Sequence, residues 1–263
     1  MSLLTYINSL QASGRYSFTR DEALTALGVT PDAFRFSALR LMNKKQLIRP
    51  KQGFYVIVPT EYLNVGEPPA TWFIDSLMKF YHEPYYVALL SAAALHGAAH
   101  QQPQVFQVIT SKPLRSIKLK RNHIQFFTKK IITPTSYQSI KTPTGYMQVS
   151  LPEITALDLV RYIKPSGYLN NVATILSELH EKFDEQRFKN ILATEKLEPC
   201  DIQRLGYLLE YVDASSEIIV LLKKWVKIQK LRAVSLRPDK NYDKAQKNSD
   251  WQLYINEQVE TDL

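Results

Sequence analysis

The stretch TRDEALTALGVTPDAFRFSALRLMNKKQLIRPKQGFYVIV, residues 19–58, decides the fold. Thr19 stands three residues before Glu22, the spacing at which a hydroxyl and a carboxylate each satisfy an orphan backbone N–H at a helix start. Ala23, Leu24 and Leu27 follow at helical spacing, and Gly28 closes this short helix. Thr30-Pro31 opens the next one, with a hydroxyl at the cap and proline at the first helical position. It runs to about Lys45 with Phe34, Ala38, Leu41 and Met42 on its inner face. Gln46-Leu-Ile-Arg-Pro, a turn at Lys51-Gln52-Gly53 and Phe54-Tyr-Val-Ile-Val-Pro then read as a β-hairpin with a basic tip. Upstream, Leu3, Leu4, Ile7 and Leu10 mark an amphipathic helix over 2–12 that Gly14 ends. Helix, helix, tight turn, helix and basic hairpin is the order of a winged helix-turn-helix, and Gly28-Val29-Thr30 suits the turn.

In that fold the second helix of the motif enters the major groove of duplex DNA and the hairpin touches backbone beside it. Arg35, Phe36, Arg40 and Lys44 fall mostly off the apolar face of residues 31–45. Arginine can pair bidentately with guanine, whereas lysine suits phosphates. Lys45, Arg49, Lys51 and Gln52 are the expected backbone contacts of the wing. The same charges would also suit the surface of a helical protein-interaction module; the charge balance favours DNA. Residues 1–60 carry eight basic and three acidic side chains. Residues 61–83 are net acidic, residues 84–152 hold eight basic and no acidic side chains, and residues 153–263 are slightly acidic. Basic blocks attract polyanions, although a solvated face accounts for any one of them.

The chain of 263 residues is long enough for one large domain or two ordinary ones, and 45% hydrophobic with 22% charged residues is a globular balance. The longest apolar stretch, 85–99, is too short to span a bilayer and is broken by Ser91, His96 and Gly97. The start of the chain has no secretory pattern, and a lone cysteine, Cys200, forms no intramolecular disulfide. A cytoplasmic protein is expected.

The organisation read from the pattern is 1–60 winged helix, 61–83 connector and 84–263 an α+β domain; the fold class is α+β, a winged helix-turn-helix followed by a larger mixed α/β domain. Asn64-Val-Gly-Glu-Pro-Pro breaks regular structure, and residues 71–81 suit a helix. A small-residue helix is expected from Val87 to Ala99, then strands over 104–110, 124–127 and 146–150. The first of these is nearly continuously apolar, as a strand buried on both faces would be. Between them lies a basic link holding Lys112, Arg115, Lys118, Lys120 and Arg121, which reads equally as a surface for nucleic acid or an acidic partner and as a solvated loop. Helical spacing dominates from Leu151 to Leu231, and strand-like segments return at 233–236 and 251–255.

Residues fit for catalysis are sparse. The sequence has no Gly-rich phosphate loop, no Gly-x-Ser-x-Gly elbow and no paired cysteines. His96 and His100 have zinc-ligand spacing, but no glutamate follows His96 as a zinc protease requires. Glu153 and Asp158 stand at the start of a helix, where the dipole alone favours them. Residues 84–152 offer no carboxylate to magnesium. Cys200 has no identifiable base. The expectation is a binding protein, not an enzyme, with no cofactor and no metal.

Six segments, in order and spread over nearly the whole chain, resemble the AbiEi-type antitoxins of type IV toxin–antitoxin systems. They are Leu47-Ile-Arg-Pro-Lys-Gln-Gly-Phe-Tyr-Val, Tyr86-Val-Ala-Leu-Leu-Ser-Ala-Ala-Ala-Leu-His-Gly, Val108-Ile-Thr-Ser-Lys, Leu157-Asp-Leu-Val, Arg204-Leu-Gly-Tyr-Leu-Leu-Glu and Trp251-Gln-Leu-Tyr-Ile-Asn. One departure is Gln46-Leu47, where the helix-to-wing junction of many such domains carries a glycine. The resemblance implies an N-terminal domain that binds inverted repeats in its own promoter and represses the operon. It also implies a C-terminal antitoxin domain that counteracts a nucleotidyltransferase-like toxin, with or without a stable complex; the basic link 112–121 is the candidate antitoxin surface. The alternatives are a winged-helix regulator with a ligand-sensing C-terminal domain, which a neighbouring toxin-like reading frame would disfavour, and a DNA-processing enzyme.

Overall fold

The computed structural model describes residues 1–98 and 103–261. These form two compact units, each discontinuous in sequence: Met1–Val87 with Gln104–Ile132 and Ser139–Gln148, and Ala88–Pro103 with Thr133–Gln138 and Val149–Leu263.

The first unit begins with α1 (Leu3–Ala12), β1 (Ser17–Thr19), α2 (Arg20–Leu27), α3 (Pro31–Asn43), β2 (Leu47–Lys51) and β3 (Phe54–Ile57). The capping box at Thr19 forms: the Glu22 N–H donates to Thr19 Oγ1 at 3.1 Å and the Thr19 N–H to Glu22 Oε2 at 2.7 Å. Gly28 ends α2 at φ 64°, a left-handed conformation that glycine reaches without a Cβ clash. Strand β1, not read from the sequence, pairs antiparallel with β3, giving the sheet order β1-β3-β2. At three residues it is too short to show alternation.

The missing glycine at the helix-to-wing junction has a structural answer. Lys45 itself adopts φ 58°. Its N–H reaches the Met42 carbonyl at 2.9 Å, and the Gln46 N–H reaches the Leu41 carbonyl at 2.9 Å. These are the two bonds of a Schellman cap, here with lysine at the position glycine usually fills. A non-glycine residue there costs roughly 1–2 kcal/mol. Part of that is offset where the Lys45 stem lies along Gly66.

Chain order continues with α4 (Ile74–Tyr81), β4 (Tyr85–Val87), α5 (Leu89–Leu95), β5 (Phe106–Thr110), β6 (Ile117–Lys118), β7 (His123–Thr128), β8 (Tyr137–Thr142) and β9 (Gly145–Ser150). The expected helix 87–99 is shorter within the described residues, and Tyr85–Val87 ahead of it is a strand. Two tyrosines and a valine suit a pleated surface, and β4 pairs antiparallel with β5, Tyr86 opposite Ile109. Ala99 and His100 lie outside the described residues. The six-stranded sheet has the order β6-β7-β5-β4-β9-β8, with β5 and β7 parallel. Gln107, Val108 and Ile109 are all buried, as expected for a strand covered on both faces.

The second unit holds α6 (Pro152–Arg161), α7 (Tyr168–Leu179), α8 (Glu185–Thr194), α9 (Pro199–Tyr211), α10 (Ser216–Gln229) and the small sheet β10 (Val234–Ser235), β11 (Gln246–Asn248), β12 (Leu253–Ile255) in the order β10-β12-β11. Helix α9 packs against α6, α7 and α10. On its remaining face Gly206 admits the fully buried Trp251 ring; a Cβ at Gly206 would lie 2.0 Å from the ring. The indole N–H of Trp251 donates to Glu210 Oε2 at 2.6 Å, one turn along α9.

Gly206→Ala should therefore destabilise the chain by more than about 2 kcal/mol, despite alanine's better helix propensity, because ring or helix must move. A thermal melt unchanged from wild type would show that the ring can shift freely. Lys45→Gly should raise the melting temperature, by an amount corresponding to about 0.5–1 kcal/mol after the lost contact with Gly66. A lowered melting temperature would mean that this packing outweighs the backbone strain.

Candidate nucleic-acid interface

Helix α3 is fixed from inside. Thr30 caps it, accepting the Ala33 N–H at 3.3 Å, and Phe34, Ala38 and Leu41 are buried. Phe34 meets Tyr55 edge-on at 5.4 Å, Tyr55 stacks on Phe18 at 5.5 Å, and Phe18 meets Tyr6 of α1 at 5.6 Å. This aromatic chain ties α3 to strand β3 and to α1. With that face anchored, the helical period turns Asp32, Arg35, Phe36, Leu39, Arg40 and Asn43 to the outside, and all six are exposed.

On that outer stripe, Arg35 lies 3.6 Å from Asp32 and its guanidinium sits 5.1 Å from the Phe36 ring centroid. The ion pair is fully in solvent and adds little stability. Arg40, and Lys44 at the helix end, are exposed. Of the residues assigned to the wing, Lys45, Arg49, Lys51 and Gln52 are all exposed. Lys51 Nζ stands 5.6 Å from the Tyr81 ring. Gly53 turns the hairpin at φ 86°, and its carbonyl accepts the Arg20 N–H at 2.8 Å. Between the wing and the start of α3 lies a cleft of about 450 Å³ in which Arg35, Arg49 and Gln52 converge with Arg20. Sequence reading passed over Arg20, which follows the cap as an ordinary first-turn residue; only the fold of the hairpin onto α2 brings it to the cleft.

The basic link 112–121 belongs to the same unit. Lys112 is bound to Glu83 at 2.5 Å, with the Ser111 hydroxyl on the second carboxylate oxygen. The hydrogen bond from Lys112, then that from Ser111, holds the Glu83 carboxyl below its ordinary range. Arg115, Lys118, Lys120 and Arg121 are exposed. Lys118 is on β6, which packs against the hairpin strand β2. The turn beyond it is pinned from below: the buried carboxylate of Glu67 accepts the N–H groups of Arg121 and Asn122, and the Asn122 side chain bonds Pro68 and Ala70. The two basic segments, far apart in sequence, thus meet where β6 lies beside β2.

No grouping of His, Cys, Asp and Glu among the described residues is arranged to hold a metal ion. His96 Nε2 is 2.7 Å from the Ser150 carbonyl oxygen, and burial lowers its pKa. Burial pushes the Cys200 thiol up, away from the thiolate a nucleophile requires. No helix among the described residues is long and apolar enough to cross a membrane.

Residues 86–211 match the family described as AbiEi antitoxin C-terminal domain. No curated protein matches the chain significantly. A solved structure with a similar fold is that of the RV2827C protein from Mycobacterium tuberculosis, at TM-score 0.65 and 14% identity, covering 94% of this chain and 89% of the other. At that identity the likeness is one of fold.

Within the matched stretch, buried charge gathers at Asp201. Arg161 and Arg204 each approach its carboxylate at 4.0 Å, and Asp158 lies close enough to oppose its ionisation. Burial dominates and pushes the carboxyl up to about 6. A carboxyl raised above its unfolded value favours folding most below the unfolded pKa, and this contribution is lost as pH rises through about 6. The melting temperature of Asp201→Asn relative to wild type should accordingly be higher at pH 7.5 than at pH 4.5. A difference independent of pH would show that the two arginines cancel the effect of burial.

Proposed function

We propose, from the match of residues 86–211 to the AbiEi antitoxin C-terminal domain, that the chain is a cytoplasmic DNA-binding antitoxin of a type IV toxin–antitoxin system. It represses its own operon through the winged helix of residues 1–60 and counteracts a nucleotidyltransferase-like toxin through residues 84–263. It acts by binding and not by catalysis. The observation that carries the DNA half is the outer stripe of α3, which sets Arg35 and Arg40 opposite the anchored Phe34, Ala38 and Leu41, with Arg49, Lys51 and Gln52 of the wing exposed in the same unit. Cations presented by a helix and an adjoining hairpin match a major groove and its flanking phosphates.

The packing of β6 against β2 supports a second role for Lys118, Lys120 and Arg121. They continue the cationic surface of the wing, so the link 112–121 serves DNA as well as, or instead of, toxin neutralisation.

A gel-shift titration with DNA from upstream of the chain's own gene, against scrambled DNA at two salt concentrations, tests the reading. Sequence-dependent retardation that weakens with salt is expected; equal binding to both fragments would remove the repressor role. Arg40→Ala should cost about 1–3 kcal/mol on the promoter fragment and much less on scrambled DNA if the arginine reads a base. Lys51→Ala should lower the salt slope by about one; an unchanged slope would sink the wing assignment. Reversing charge at Lys118, Lys120 and Arg121 separates the two roles of the link: loss of promoter binding assigns it to DNA, and failure to rescue cells from the toxin with promoter binding intact assigns it to neutralisation.

A further inference from the structure

Two large apolar side chains stand on the outer stripe of α3 among the cations. Phe36 is 56% exposed and Leu39 is 49% exposed. A single exposed apolar residue calls for no explanation. Here two of them lie within one helical turn on one face, and Val29, 37% exposed, precedes the helix. The Arg35 guanidinium at 5.1 Å from the Phe36 ring holds a positive charge against the patch, and Arg40 follows Leu39 directly. The carboxylate on this face, Asp32, is engaged by Arg35.

The surface therefore fits a partner that presents small apolar groups inside a negatively charged frame. A second copy of the chain meets it badly, since a two-fold contact centred on Phe36 and Leu39 would bring the Arg35 of one copy beside the Arg40 of the other. Single-stranded nucleic acid is held by aromatic stacking platforms, and Leu39 cannot stack. The major groove of duplex DNA has the required combination: phosphates on both walls and, as its apolar feature, the C5-methyl of thymine.

Resting on the DNA-binding reading above, we infer that Phe36 and Leu39 read thymine methyl groups in the operator. The apolar pair supplies specificity for thymine, and the neighbouring Arg40 is left free for guanine or phosphate.

The test uses the full chain and the promoter fragment amplified with dUTP in place of dTTP, so that every thymine loses its methyl group and nothing else. Wild-type protein should bind the uracil fragment about four-fold or more weakly, the factor that corresponds to losing one buried methyl-sized group at about 0.8 kcal/mol. In the double variant Phe36→Ala, Leu39→Ala this discrimination should fall to about one-fold by the same reasoning. Both side chains are largely in solvent, so the variant keeps its fold, and a wild-type melting curve verifies this. Equal binding of thymine and uracil fragments by wild type, with promoter still preferred over scrambled DNA, overturns the inference and leaves the repressor reading standing. A discrimination that persists in the double variant also overturns it, and self-association lost in that variant on sedimentation would then assign the patch to a second copy. No preference for promoter over scrambled DNA overturns the repressor reading and this inference together.

Discussion

The second unit is organised around the absence of one side chain. Gly206 leaves a gap on α9 into which the Trp251 ring descends, and a single Cβ would fill it. Around that contact α9 supplies polar groups to the segment carrying the tryptophan. The Gln203 amide donates to the carbonyls of Arg232, Trp251 and Gln252, and the Arg204 guanidinium donates to the Ser235 carbonyl. Two of the sequence segments that carry the antitoxin resemblance, 204–210 and 251–256, are thus the two sides of one contact. Between them the chain runs through α10, β10 and β11 before β12 returns to α9. Asn256 finishes the arrangement by bonding the backbone of Arg237 and Lys240.

The first unit is organised differently, by an aromatic relay through Tyr6, Phe18, Tyr55 and Phe34. Its consequence is orientation. Helix α1 and strands β2 and β3 hold the inner face of α3, so the outer stripe has a fixed direction relative to the hairpin β2–β3. The strained junction at Lys45 contributes as well. A left-handed residue at that point reverses the chain sharply, which lets β2 begin at Leu47 beside the helix it has just left. Glycine would do the same with less strain, but lysine leaves an exposed cation at the corner between helix and wing.

Local chemistry made much of this legible in the sequence. The capping box at Thr19, the Thr30-Pro31 start, the left-handed Gly28 and the hairpin turn at Gly53 are decided by side chains within a few residues of the bond they satisfy. The apolar period of α6 to α10 is equally local. What escaped reading depends on distant partners. Strand β1 exists because Phe18 pairs beside Tyr55; β4 overlaps the expected helix 87–99 at Val87, and no glycine or proline separates it from α5; β8 and β11 are largely polar and are strands only through their neighbours. The convergence of Arg20 with Arg35 and Arg49, and the meeting of β6 with β2, arise in the same way: pattern identifies the residues, and pairing order alone brings them together.

The disposition of charge then separates structural from available groups. In the second unit, charged side chains near the core are engaged: Arg204 with Ser235 and Asp201, Arg237 with Glu257 and Asp239, Lys223 with Glu210 and Asp250. Their charge is spent on holding loops to helices, and solvent-facing ligands would have to compete with those bonds. On α3 and the wing, Arg40, Lys44, Arg49 and Gln52 are exposed, while Arg35 has only a weak exposed partner. Cations held this way gain nothing for folding and repel one another over the roughly 8–10 Å that salt leaves unscreened. On the outer stripe of α3 the cations Arg35 and Arg40 face a single carboxylate, Asp32, so a polyanion laid across the stripe would relieve their repulsion. Exposed lysines occur in the second unit too, at Lys224 and Lys227 of α10, so what sets α3 apart is its arginine pair beside an adjoining hairpin and not exposed charge alone.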